Sequence, residues 1–210
     1  MAETLIVAFT TLFATVGPVD VAAVFAVLTA DDTPRSRRNT AVKGVIVGGI
    51  ILFVFAFVGQ LLLTQLGISL AAFRTGGGIL LLLIGIDMVF ARSSGGTSTT
   101  DEEEEEAENK QDISVFPLAT PLIAGPGAMG ASILLMANTN GDPAEVTAVA
   151  IAIAGILLLT LLLLLLATQV QRLLGVTGLQ VITRVFGVLL VALAVQFIFD
   201  GILESGIVGP

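Results

Sequence analysis

The sequence predicts an all-α membrane protein of six transmembrane helices, arranged as two inverted three-helix repeats. Three observations predict it: six apolar stretches long enough to cross a bilayer, an alternation of basic residues between successive loops, and landmarks that recur 108 residues apart (Gly17 to Gly125). Of 210 residues 55% are hydrophobic and 12% charged, and the mean hydropathy is +1.02. A soluble domain sits near a quarter charged, so this chain is not composed to be covered by water.

A helix needs about 20 apolar residues to cross roughly 30 Å of hydrocarbon. Six stretches qualify: Thr4–Leu28, Ala41–Leu66, Ala72–Ala91, Ser114–Ala137, Glu145–Val170 and Leu179–Leu203. Backbone groups in lipid must bond within their own segment, and the alternating pattern of a barrel is missing, so each is read as a helix. No cleavable leader is expected, because Met1-Ala2-Glu3-Thr4 lacks a positive n-region and the apolar stretch after it is too long.

The first loop carries Arg35, Arg37 and Arg38, with Lys43 just beyond; Arg92 and Lys110 flank the third, Arg172 and Arg184 the fifth. The fourth loop has no basic residue, and the second has only Arg74 beside it. The positive-inside rule then puts the odd loops in the cytoplasm and both termini outside, in a plasma (inner) membrane. Residues 1–92 form the first three-helix repeat, 93–112 a cytoplasmic acidic loop, and 113–210 the second repeat. The run Asp101 to Glu106 reads as a solvated loop. With a net charge of −8 the chain disfavours a nucleic-acid partner.

The halves echo one another. Gly17-Pro18 recurs as Gly125-Pro126, and Leu66-Gly67-Ile68-Ser69 as Leu174-Gly175-Val176-Thr177. After a two-residue slip, Arg74-Thr75-Gly76-Gly77 matches Arg184-Val185-Phe186-Gly187; Gly48 finds Gly155 at an offset of 107. Three spans per half is an odd number, so the second half enters the membrane from the opposite side. That topology is typical of secondary transporters, whose substrate sits near midplane where the halves meet.

The candidate site follows from the two Gly-Pro pairs. Proline removes a backbone donor and clashes one turn back, and glycine tolerates non-helical dihedrals. Gly17-Pro18 and Gly125-Pro126 therefore predict two broken helices. The half-helix ends they expose suit an anionic group at the amides and an ammonium or Na⁺ at the carbonyls. Pro117, Pro121 and Pro126 stand within ten residues, so no regular helix runs through the fourth span. Thr15 and Thr120 are candidate hydroxyl ligands, with bonding to the i−4 carbonyl as the alternative. Pro121 and Gly127 complete the substrate-binding set. Asp20, an intramembrane carboxylate, is the candidate coupling residue for Na⁺ or H⁺. Asp87 and Asp200 read as peripheral, Gly76-Gly77-Gly78 and Gly85 as packing residues, Arg74 and Arg184 as headgroup anchors, and Ile156–Leu166 as lipid-facing scaffold.

No enzyme is expected. Without Cys or His there is no thiolate, no serine triad and no soft metal site. Asp20 and Asp87 sit at different depths, and no Gly-x-Gly-Asp motif is present. No cofactor or resident metal is expected, only a small-molecule substrate and the lipid bilayer, with a homo-oligomer allowed.

Two stretches resemble the MarC family of integral membrane proteins: Pro117-Leu118-Ala119-Thr120-Pro121-Leu122-Ile123-Ala124-Gly125-Pro126-Gly127-Ala128, and Leu66 through Leu80. The resemblance covers nearly the whole chain. It implies six spans in a three-plus-three topology and cation-coupled transport of a small neutral amino acid such as glycine or alanine. Members usually carry Asn or Asp before the first proline and Gly two positions after it; here Gly17 precedes Pro18 and Asp20 follows. The alternatives are export of an inorganic ion or other small solute, and a non-transporting membrane scaffold.

Overall fold

Several helix ends in this chain fall where the sequence supplies a cap or withholds an amide. In the computed structural model, which describes residues 1–29, 32–90 and 113–206, seven α-helices account for nearly all of the described backbone. They are α1 (Ala2–Val16), α2 (Pro18–Leu28), α3 (Pro34–Gln65), α4 (Leu70–Phe90), α5 (Pro126–Ala137), α6 (Pro143–Leu165) and α7 (Ala167–Glu204), with an irregular coil over Ser114–Ile123. The Thr33 hydroxyl caps α3 by accepting from Ser36 N–H at 3.2 Å, and Asp142 caps α6 by accepting from Ala144 and Glu145. Both caps are followed by proline, whose missing donor costs nothing there. At its other end α3 closes in a Schellman arrangement: Gly67 takes a φ of 69°, Ile68 N–H donates to Leu63 O, and Gly67 N–H to Thr64 O.

Five stretches are long and apolar enough to cross a membrane: Ala2–Ala26, Pro34–Gln65, Leu70–Phe90, Pro143–Leu165 and Arg184–Glu204. The coil Ser114–Ile123 and α5, bent by 55° at their junction, supply a sixth if taken together. The acidic segment 93–112 lies outside the described residues. One expected loop is corrected. The fifth span ends at Leu165 rather than Val170, and α7 begins only two residues later, so Leu174 to Thr177 lie within a helix while their counterpart Leu66 to Ser69 forms a turn. Gln169, Gln171, Arg172 and Leu173 are good helix formers with no proline among them, so the helix continues where apolarity stops.

Glycine decides which helices touch. On α3, a Cβ at Gly44 would stand 2.4 Å from Leu118 Cδ2, one at Gly48 2.8 Å from Ile123 Cγ2, and one at Gly59 2.4 Å from Ile133 Cγ1. Those contacts advance together along both chains, so α3 runs parallel to the coil and α5. The pair α4 and α7 run antiparallel, with Gly78 against Ala194 and Gly85 against Gly187. The packing role expected of Gly78 and Gly85 is what they perform. The leucine-rich tract is corrected: Ile156, Leu157, Thr160 and Leu164 are buried in the core, and only the other face, with Leu158 and Leu162, is exposed. A helix with period 3.6 has two faces whatever its composition. Exposed Ile46, Ile50, Val54, Phe57 and Leu61 form an apolar outer stripe on α3.

Candidate functional site

The first break is built on Gly17. Its φ of 59° and ψ of 55° are left-handed, and its N–H still reaches Phe13 O at 3.0 Å. Pro18 has no N–H to give the Ala14 carbonyl, and the ladder resumes with Val21 N–H on Gly17 O at 2.9 Å. The carbonyl end of α1 and the amide end of α2 therefore meet at one residue. Asp20 stands third in α2 and is half-buried; its Oδ2 lies 3.4 Å from where a Cβ on Gly17 would be. The carboxylate thus folds back over the break, at the positive end of the α2 dipole.

The second break is longer. The Phe116–Pro117 and Thr120–Pro121 peptides are cis, and Phe116 (φ −129°, ψ 126°) and Thr120 (φ −137°, ψ 125°) are extended. Two wide turns close over them, with Leu118 N–H donating to Ile113 O at 3.2 Å and Ala124 N–H to Ala119 O at 2.8 Å. Gly125 is extended and Pro126 opens α5.

Both breaks enter one core. Val16 and Val21 share an apolar cluster with Leu122, Ala124 and Ala128, and Gly17, Pro18 and Gly125 are buried. The threonines differ. The buried Thr15 hydroxyl donates to Thr11 O at 2.9 Å and approaches Leu12 O, which is the i−4 bonding named as the alternative to a ligand role. Thr120 is extended, which takes its hydroxyl away from the i−4 carbonyl; it is half-buried and makes no hydrogen bond among the described residues. Pro121 beside it is half-buried as well. Gly127 packs under Ile84, whose Cδ1 lies 2.6 Å from its virtual Cβ. Pro126 is exposed to a different space, an apolar cavity of about 520 Å³ that it lines with Met129, Gly130, Phe73 and Gly76.

The reading of Arg74 as a headgroup anchor is corrected. Arg74 is buried; its Nη1 donates to Glu204 Oε1 and its Nη2 to Asn138 Oδ1. It joins α4, the end of α5 and the end of α7. These three residues, with Asp200 and Asn140, line a polar cavity of about 400 Å³. A signal was available: an arginine flanked by apolar helix needs a counter-charge, and Glu204 ends the last span. Arg184 is exposed, and Asp200 accepts from Gln196 at 2.8 Å.

A family model described as "MarC family integral membrane protein" matches residues 2–205. The chain is 40% identical to a UPF0056 membrane protein of Methanocaldococcus jannaschii, over 94% of this chain and 95% of that one. A UPF0056 membrane protein of Escherichia coli is 36% identical over 92% and 89%. One of Bacillus subtilis is 34% identical over 92% of both. No solved structure matches.

Proposed function

The chain belongs to the MarC family, as a multi-pass integral membrane protein, and on that premise we propose that it is a secondary transporter of a small neutral amino acid, binding between the broken first and fourth spans and coupled to a cation. The observation that carries the reading is that Gly17, Pro18 and Gly125 are buried and the residues flanking both breaks share one core, with a Thr120 hydroxyl that has no partner among the described residues beside the second. Irregular backbone at membrane depth survives only inside protein or along a watery cavity, and transporters bind substrate on such ends.

The inverted repeat is part of the proposal, and the packing supports it. The first span packs on the fifth, the second on the fourth and the third on the sixth, a pattern unchanged when the halves are exchanged. The shift that carries Arg74 to Arg184 carries Gly85 to Val195, Met88 to Ile198 and Gly77 to Gly187. The close approach of Gly85 and Met88 to Gly187 then falls, within one residue, on that of Ala194 and Ile198 to Gly78.

Uptake of labelled glycine or alanine into proteoliposomes, with an imposed Na⁺ or proton gradient, tests the reading. Gradient-dependent uptake that Pro18→Ala with Pro126→Ala abolishes is expected. Undiminished uptake by that double variant overturns the broken-helix mechanism.

A further inference from the structure

Four of the nine basic residues fall within Arg35 to Lys43, at the start of α3. Helix stability does not account for them. Cations at a helix N-terminus oppose its dipole, and no acidic residue stands in the first turn to offset them. Arg37 turns to one side and donates to the Thr29 carbonyl. The others share a different face: Arg35, Arg38, Asn39 and Lys43 line a cavity of about 590 Å³ whose remaining wall is Val42, Ile46 and Val47. Arg35 and Arg38 are exposed and make no ion pair among the described residues.

That cavity has a continuation. Ile46 also lines a second space of about 590 Å³, between α3 and α6, walled by Ile50, Val54, Leu157, Leu158 and Leu161 and almost wholly apolar. Gly49 lets the two helices approach at its floor, since a Cβ there would stand 2.9 Å from Leu157 Cδ1. From Val45 to Val54 the groove runs about 14 Å along the helix, close to the depth of one leaflet's hydrocarbon. A cationic head opening into an apolar groove of that length matches one class of molecule.

We propose that this site holds an anionic phospholipid, its phosphate on Arg35, Arg38, Asn39 and Lys43 and an acyl chain between α3 and α6. Basic pockets beside membrane helices select anionic headgroups in this way. The proposal is independent of transport.

The test is native mass spectrometry on delipidated full-length protein titrated with phosphatidylglycerol or phosphatidylcholine, beside thermal shift with soluble glycerol phosphate. Phosphatidylglycerol is expected to bind roughly thirtyfold more tightly than phosphatidylcholine, with the gap closed to about threefold in Arg35→Gln/Arg38→Gln. Both arginines are exposed, so the variant keeps its fold. Ala154→Phe, from an exposed position on the groove wall, is expected to weaken both lipids while keeping the preference. Equal binding of the two lipids, or an unchanged preference in the double variant, overturns the headgroup site. Unweakened binding in Ala154→Phe overturns the acyl groove, and stabilisation by glycerol phosphate equal to that by the lipid replaces a lipid site with an ion site.

Discussion

Gly85 and Gly187 meet so closely that a Cβ on either would stand 3.1 Å from the other's carbonyl oxygen. The obstacle is backbone on both sides, and Val191 N lies 3.0 Å from the same point at Gly85. No rotamer change relieves it. Gly85→Ala is expected to destabilise the protein by about 1–3 kcal/mol, the usual range for overpacking. Gly76→Ala, in the same helix but with nothing within 4 Å of its virtual Cβ, is expected to gain up to about 1 kcal/mol from helix propensity. Apparent Tm in detergent separates them; equal effects of the two variants would contradict the close crossing.

Arg74 and Glu204 call for a double-mutant cycle. The arginine side chain is 9% exposed and the glutamate 47%, so water partly screens the pair. A coupling of about 1 kcal/mol is expected, toward the upper end for an exposed pair and below that of a fully buried one. Arg74→Gln should cost more than Glu204→Gln, because Asn138 loses its donor only in the first. A coupling of zero in unfolding free energy would reduce the pair to a coincidence of neighbours.

These two contacts mark the limit of what the sequence made legible. Apolar length and proline placement reported the helical class and both breaks, because each is a local property of the chain. Gly67 and Gly175 sit in matching tetrapeptides, yet one ends a helix and the other lies within one, so the tetrapeptide alone does not decide the helix end. The need of Arg74 for a counter-charge was a local signal, but which residues meet it was not, because Asn138 and Glu204 are 64 and 130 residues away. The inward face of Ile156–Leu166 was hidden because a uniformly apolar helix has no moment to read.

The two threonines give a sharper test of the site than the prolines, since neither substitution alters the backbone. Thr15→Val removes a hydroxyl already bonded to Thr11 O and is expected to leave the KM for uptake within about twofold. Thr120→Val removes one with no partner among the described residues. Loss of a single neutral hydrogen bond to substrate, about 1 kcal/mol, predicts a KM raised roughly fivefold. The reverse ranking would move the site away from the second break.

Asp20 carries the coupling hypothesis, and its geometry supplies the control. As an acidic residue in the first turn of α2, it is also a helix-stabilising group, worth about 0.3–1 kcal/mol. A purely stabilising role predicts that Asp20→Asn lowers apparent Tm slightly and leaves the gradient dependence of uptake intact. A coupling role predicts that the variant still exchanges substrate across the bilayer but no longer accumulates it against an imposed Na⁺ or proton gradient. Gly17→Ala should act through the same group: its left-handed φ strains any L side chain by about 1–2 kcal/mol, and the new methyl presses on the Asp20 carboxylate. The expected outcome is accumulation lost in both variants with exchange retained in Asp20→Asn. Accumulation at the wild-type level in Asp20→Asn would assign the carboxylate to the helix end alone.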